Sequence, residues 1–507
     1  MKSIFKPAAP DESPAPDAHA GRTFVGDVVK IMSGTAFAQV LGIAALPLLT
    51  RMFAPEAFGM LGVFGAITGM LGVAVCLRYE LAIVLPTREN DAVDLFWTSL
   101  LIALLFTGLT ALAVFFLGAS LLNAVDAQVL EPYLWLLPAG VLIHGIHISL
   151  SHWNTRKRKF GRLAVAQVNN ALVTTGTKVG TGVAGLTSGA SLIIATLLGL
   201  LSSSLALGAQ IWRDDFHTLK RFPRSADVRR LLWEYRGTAV FNSSTSVFQA
   251  ISQNLPLLLL GAFFGPLTVG YYLIGNKILK MPFNLLGKSV KKVFFQRAAE
   301  LKNAGGNLAG LALETTHPLF VLSIGVITLA VVGSPIAAEV VLGSDWVQAG
   351  YFMQWIAIWT CSSFITIPAA SLSIVLRQDH INLLFLIGLL AVRIGSLVVC
   401  AIYFPDPLVA IMALCLSGMV FQFLYLKWLF GLVGVRLKEL FSRVGKDILL
   451  SLATILLYVT ARFLNFSDIF TVILLLVYSG VYVIFSMPFL RAFLKILKGR
   501  SAGKVIA

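Results

Sequence analysis

At 507 residues, with 57% hydrophobic and only 13% charged side chains, the chain carries roughly half the charge that a water-soluble domain needs to keep its surface wet. That excludes an ordinary soluble enzyme, and the mean hydropathy of +0.84 calls for repeated segments long enough to cross about 30 Å of hydrocarbon. The formal net charge of +16 fits either nucleic acid or basic loops beside anionic lipid, and only its distribution along the chain separates the two.

Residues 1–24 are rich in Pro and Ala, with scattered charges and no apolar centre. They read as a disordered tail, not a cleaved leader. Apolar runs then predict spans at 28–50, 57–77, 92–117, 132–151, 163–184 and 188–210, a first bundle within 25–210. After a basic linker at 211–236 come spans at 237–262, 266–286, 312–334, 351–373, 381–402 and 407–430, a second bundle within 237–430. Two further helices, 446–463 and 469–490, occupy 431–490, and a basic tail covers 491–507. The expected fold is an all-α integral membrane protein of about fourteen helices: two parallel six-helix bundles plus two additional helices. Cys76, Cys361, Cys400 and Cys415 lie in apolar stretches without CxxC or His/Cys spacing, so neither a metal nor a cofactor is expected.

Charge orients this map. Of the 40 Lys and Arg residues, 33 fall on the side that holds both termini, with Lys30 at its edge, and only Arg51 and Arg462 on the other. By the positive-inside rule both termini are cytoplasmic. The run Arg156-Lys157-Arg158-Lys159 and the pair Arg229-Arg230 are then topology determinants touching anionic membrane lipids, and nucleic acid is not a partner. No connection on either side is long enough for a soluble catalytic domain, and no GxxxxGK[ST] nucleotide loop is present.

The halves echo each other. Leu46-Pro47-Leu48-Leu49 followed by Pro55-Glu-Ala-Phe-Gly59 has a counterpart in Leu255-Pro256-Leu257-Leu258 followed by Pro266-Leu-Thr-Val-Gly270. Both copies start on the basic side, so the halves are parallel, an arrangement suited to alternating access around a central site. Pro47, Pro138, Pro256 and Pro368 permit bends. Gly176-x-x-x-Gly180 and Gly261-x-x-x-Gly265 are candidates for close helix contact.

Charged groups inside the bilayer are costly and should face a cavity or a partner. Lys178, Lys277 and Arg393 are the deep cations, and no Asp or Glu stands near the middle of a clear span. A cavity lined this way favours an anionic cargo. Lys280 and Lys427 sit near span ends, where snorkelling suffices. Asn242, Gln249 and Gln253 share one side of a helix and suit sugar hydroxyls or interhelical hydrogen bonds. Tyr271 and Tyr272 are interface aromatics or a sugar platform. Arg78 and Glu80, in Arg78-Tyr79-Glu80, form a local ion pair or a gate.

Several of these segments together resemble the oligosaccharide flippases, the Wzx-type polysaccharide transporters of the superfamily that includes multidrug extruders and lipid II flippases. The resemblance rests on LPLLTRMFAPEAFG (46–59), RYELAIVLP (78–86), Trp153-Asn-Thr-Arg156, Tyr235-Arg236, LPLLLLGAFFGPLTVGYYLIGNKILKMP (255–282), Phe294-Phe-Gln-Arg297-Ala and LGSDWVQAGYFMQ (342–354). It implies a V-shaped cavity between two bundles, admitting an undecaprenyl-pyrophosphate-linked oligosaccharide from the cytoplasmic leaflet of a bacterial inner membrane. It also implies export toward lipopolysaccharide or exopolysaccharide assembly, with a polymerase and glycosyltransferases as partners. Arg78 and Glu80 fall in the family's RYE-like signature, whereas the cationic lining at Lys178, Lys277 and Arg393 matches less firmly. Alternatives are a lipid II flippase, an ion-coupled small-molecule exporter, disfavoured by the missing buried carboxylates, and a membrane saccharide polymerase or ligase, disfavoured by the missing outer loop.

Overall fold

The computed structural model describes residues 33–124, 131, 133–221, 223–464, 469 and 471–482. The expected tails, 1–24 and 491–507, lie outside them. Among the described residues the regular elements are all helical. The first half comprises α1 (Ser33–Met52), α2 (Pro55–Ala74), α3 (Glu89–Ala124), α4 (Leu136–Arg156), α5 (Phe160–Val183) and α6 (Gly189–Leu219). Then follow α7 (Ser225–Asn303), α8 (Leu308–Leu342), α9 (Val347–Ala369), the short α10 (Ser371–Val375), α11 (Asp379–Tyr403), α12 (Pro407–Gly431) and α13 (Leu437–Phe463). The last described helix is α14 (Thr471–Tyr482).

Local sequence sets many of these boundaries. Pro55 and Pro407 occupy first helical turns, where the missing N–H has no intrahelical acceptor to lose. The Asp406 carboxylate accepts from the Leu408 N–H at 2.8 Å, and the Asn307 amide oxygen accepts from the Gly310 N–H at 2.8 Å. Both are N-caps. Within α1 the helix breaks at Ala45, one residue before Leu46-Pro47.

Seventy-nine residues make α7 roughly 120 Å long if straight, four membrane thicknesses. It is not straight. Gly265 has φ 78° and ψ 175°, a conformation open to glycine and strained for side chains with a Cβ. A Cβ on Gly261 would lie 3.4 Å from the Val269 side chain, whereas residues eight apart on a straight helix are separated by about 12 Å. The two arms of α7 therefore fold back on each other, and they correspond to the predicted spans 237–262 and 266–286. Among the described residues, ten helices are long and apolar enough to cross a membrane. One of these is the bent α7, which crosses twice, while α4 and α5 have the length but a more polar composition. With α14 this yields about fourteen spans, as expected. The stretch 211–236, expected to be a linker, is helical at both ends, since α6 continues to Leu219 and α7 begins at Ser225.

The two halves meet through their repeated Pro-x-x-x-Gly turns. A Cβ on Gly59 would lie 1.8 Å from the Pro266 carbonyl oxygen, and one on Gly270 would lie 2.0 Å from the Pro55 carbonyl oxygen. The contact is reciprocal, as two copies of one motif related by a pseudo-twofold axis require. Lipid is as apolar as leucine, so helices associate in it through close packing and hydrogen bonds, and glycine is what lets these two backbones touch. Around this crossing, Val63 and Phe64 of α2, Leu257 and Val269 of α7, and Phe352 and Ile356 of α9 form one buried cluster. Of the expected pair Gly261 and Gly265, Gly261 meets the Val63 side chain of the other half and Gly265 faces open space. Gly176 and Gly180 face open space, and the close α5–α6 approach is made by Gly199 against Thr174 and Asn170.

The two additional helices pack on the second half. The Tyr482 ring covers Gly325 of α8, Leu475 covers Gly333, and the Tyr482 hydroxyl donates to the Val321 carbonyl. The Ser451 and Tyr478 hydroxyls are 2.9 Å apart, which ties α13 to α14.

Candidate functional site

A cavity of about 540 Å³ lies between the halves. The first half contributes Gln39 and Gly42 of α1, Asn170, Thr174 and Lys178 of α5, and Thr196 of α6. The second arm of α7 contributes Leu273, Asn276, Lys277, Lys280 and Met281. Helical spacing explains the grouping: 273, 276, 277, 280 and 281 form one stripe, and 170, 174 and 178 form another. Lys277 stands eleven residues beyond Pro266, roughly 16 Å from that end of the arm and so near mid-membrane.

Among the described residues no Asp or Glu lines the cavity. Lys277 is exposed to it, and Lys178 and Lys280 are half-buried. The carbonyl oxygens of the Gln39 and Asn276 side chains are buried without a hydrogen-bond partner among the described residues. Three ammonium groups and two spare amide acceptors on one surface make a site for an anion carrying hydroxyl groups.

The expected residues distribute as follows. Lys178 and Lys277 share the cavity. Arg393 does not line it; the side chain is 5% exposed, stacked with its guanidinium carbon 3.9 Å from the Trp359 ring centroid. It lies beside Tyr272 and close enough to Lys280 for the two charges to repel. Lys280, assigned from sequence to a snorkelling end, lies in the cavity instead. Lys280 stands fourteen residues beyond Pro266, roughly 21 Å along the arm, and the cavity extends to that depth, so its side chain meets the cavity instead of needing to reach the headgroups. Its i,i+3 spacing from Lys277 was the available signal. Gln249 and Gln253 are exposed one turn apart on the first arm of α7, outside this cavity's lining. Asn254 is the amide that meets the other half, 3.4 Å from where a Gly69 Cβ would stand. Asn242 is on the same arm, and its side chain lies outside the described residues. Tyr271 packs edge-on against Trp346 and Phe352, and Tyr272 is buried, so neither offers a platform to the cavity.

Arg78 and Glu80 form the local ion pair, 3.4 Å between Nη1 and Oε1. Leu77 and Arg78 take positive φ, 48° and 64°, to turn the chain between α2 and α3. Burial holds the Glu80 carboxyl above the usual carboxylate range, opposed by hydrogen bonding and by Arg78. The other quoted motif explains how the turn is held. The Arg156 guanidinium donates to the Ile83 and Pro86 carbonyls at 3.0 and 2.8 Å, Trp153 donates to Asp215 at 3.2 Å, and Lys157 pairs with Glu89. The Tyr79 hydroxyl donates to the Leu232 carbonyl at 2.9 Å, joining this turn to the start of α7. These residues build the basic end of the first half and stand apart from the cavity lining.

At the charge-poor end the cavity is closed. Besides the reciprocal glycine contact, the Trp346 indole donates to the Thr50 carbonyl at 2.9 Å, and Arg51 donates to the Val340 carbonyl at 3.2 Å. Phe58 meets Trp346 edge-on, with centroids 5.3 Å apart.

Residues 48–350 match the model of a family described as polysaccharide biosynthesis protein. The chain belongs to that family. Among solved structures, the chain is similar to one titled lipid II flippase MurJ in an inward closed conformation. The TM-score is 0.68 at 14% identity, over 92% of this chain and 100% of that one. It is also similar to an inward-facing multidrug resistance MATE family transporter of the MOP superfamily. There the TM-score is 0.58 at 15% identity, over 78% and 94% of the two chains. A sequence search of curated proteins found no match. At these identities the structural likenesses establish a shared fold, that of a multi-pass membrane protein.

Proposed function

We propose that the protein is a flippase that moves an undecaprenyl-pyrophosphate-linked oligosaccharide from the cytoplasmic to the outer leaflet of a bacterial inner membrane, supplying surface polysaccharide synthesis. One observation carries this reading: a cavity between two repeated halves presents Lys178, Lys277 and Lys280 without a lining carboxylate among the described residues. The family match and a fold shared with proteins titled as flippase and transporter support it.

The chemistry is direct. A pyrophosphate meets ammonium groups in a poorly solvated space, where charge-assisted hydrogen bonds are strong. Sugar hydroxyls meet Gln39, Asn170, Thr174 and Asn276, and the polyprenyl chain stays in lipid. The closed charge-poor end is the outer face by the positive-inside rule, and parting the glycine crossing exposes the cavity outward. No step requires a catalytic residue, and both termini remain cytoplasmic.

Deleting the gene tests the cargo. The expected result is lipid-linked oligosaccharide accumulating on the cytoplasmic leaflet together with loss of surface polysaccharide. Accumulation of peptidoglycan precursor would reassign the cargo to lipid II, and no change in either pool would remove the flippase reading.

A further inference from the structure

A second cleft, of about 1210 Å³, lies between the flank of α3 and the start of α7, lined by Tyr79, Leu101, Arg229, Leu232, Trp233 and Arg236 among others. Its two ends differ in chemistry. Leu101 is seven residues inward of Asp94, about 10 Å deeper along α3, and it continues into Leu104 and Leu105, which are 57% and 60% exposed. This is a lipid-facing flank. The other end is arginine. Arg230 is engaged by Asp91 at 2.6 Å and Glu234 at 3.4 Å, whereas Arg229 and Arg236 have no carboxylate partner among the described residues. They are seven apart on one helix face, and the Arg236 guanidinium carbon rests 3.4 Å from the Trp233 ring centroid. Trp233, 69% exposed, has the amphipathic character that places tryptophan at headgroup depth.

We propose that this cleft binds one anionic phospholipid, its phosphate on Arg229 and Arg236 and an acyl chain along Leu101 and Leu232. Guanidinium forks match phosphate oxygens bidentately. A net negative headgroup compensates two charges that protein carboxylates leave unpaired, and a zwitterionic headgroup does not. Because the Tyr79 hydroxyl donates to the Leu232 carbonyl, the lipid clamps the beginning of α7, the connection between the halves, onto the first half. The site is separate from the cavity and takes a resident lipid rather than the transported one.

Native mass spectrometry of the purified full-length protein, titrated with phosphatidylglycerol or phosphatidylcholine, tests this. One equivalent of phosphatidylglycerol should bind roughly 30-fold more tightly than phosphatidylcholine, as expected for two basic residues near a headgroup. Arg229→Gln with Arg236→Gln should bring the two lipids level. Arg229→Lys with Arg236→Lys should keep part of the preference, and Lys159→Gln with Lys291→Gln, removing the same charge elsewhere, should keep all of it. Glycerol phosphate at equal concentration should not displace the lipid. Equal binding of the two lipids by the unaltered protein, an undiminished preference in the Gln pair, or displacement by glycerol phosphate would each overturn the proposal. The readout needs no saccharide cargo, and Lys277→Ala should leave it unchanged, so its failure and that of the flippase reading are distinguishable.

Discussion

Replacing Gly59 with alanine places one methyl group at the crossing between the halves. Its Cβ would lie 1.8 Å from the Pro266 carbonyl oxygen. Ordinary contact begins near 3.4 Å, so the helices must separate by about 1.6 Å, and the obstructing atom is backbone that has no rotamer to change. Overpacking of this kind costs about 1–3 kcal/mol, and the whole penalty falls on the state closed at this end. The balance between closed and open outer faces should therefore shift roughly 5- to 150-fold toward open. Labelling of Thr50→Cys in a Cys400→Ser background by a membrane-impermeant maleimide reads the shift, because Thr50 is 5% exposed at the closed seam, Cys76, Cys361 and Cys415 are buried, and the partly exposed Cys400 is removed. Gly59→Ala should accelerate labelling, and Gly270→Ala should do the same, since its Cβ would lie 2.0 Å from the Pro55 carbonyl oxygen. The double variant should add less than both singles, because the contacts share one seam. Gly176→Ala, facing open space, is the control. An unchanged labelling rate in folded Gly59→Ala protein would refute the assignment of this crossing as the moving seam.

Three other outcomes follow from single contacts. Trp346→Phe removes the donor to the Thr50 carbonyl and should open the same seam by about 1 kcal/mol, a smaller acceleration in the same labelling assay. Arg156→Ala frees the Ile83 and Pro86 carbonyls and should lower thermal stability in detergent by about 1.5–3 kcal/mol, with Arg156→Lys failing to restore both bonds. Arg393→Lys should weaken the second half through loss of the Trp359 stack, by roughly 0.5–2 kcal/mol, seen as a lower melting temperature with headgroup affinity nearly unchanged. An affinity loss matching that of the cavity lysines would place Arg393 on the substrate path after all.

The number of spans, the parallel halves and two of the three cavity lysines were legible because each leaves a local trace: hydrophobic length, charge alternation, a repeated turn, a lone cation among apolar residues. Pro55–Gly59 and Pro266–Gly270 could be matched as sequence, but that the copies touch each other required the fold. Lys280 was read as a snorkelling end because hydropathy locates a span end but not how far a cavity reaches toward it, and the cavity lining extends from Leu273 to Met281 on this arm. Gly176 and Gly180 show the opposite failure, a spacing that permits close approach without any neighbour arriving. Arg393 was read as cavity-facing from its charge alone, while its burial against Trp359 depends on an aromatic 34 positions earlier in the chain, which no local pattern reveals.

The central claim is that the cavity lysines receive a pyrophosphate headgroup. Binding of a polyprenyl-pyrophosphate-linked saccharide to the reconstituted protein tests it most directly, comparing the unaltered chain with Lys178→Ala, Lys277→Ala and Lys280→Ala and with their Arg counterparts. Each alanine variant should lose about 10- to 150-fold in affinity, the range for a hydrogen bond to a charged group, and each arginine variant should retain most of it. Unchanged affinity in all three alanine variants would contradict the account.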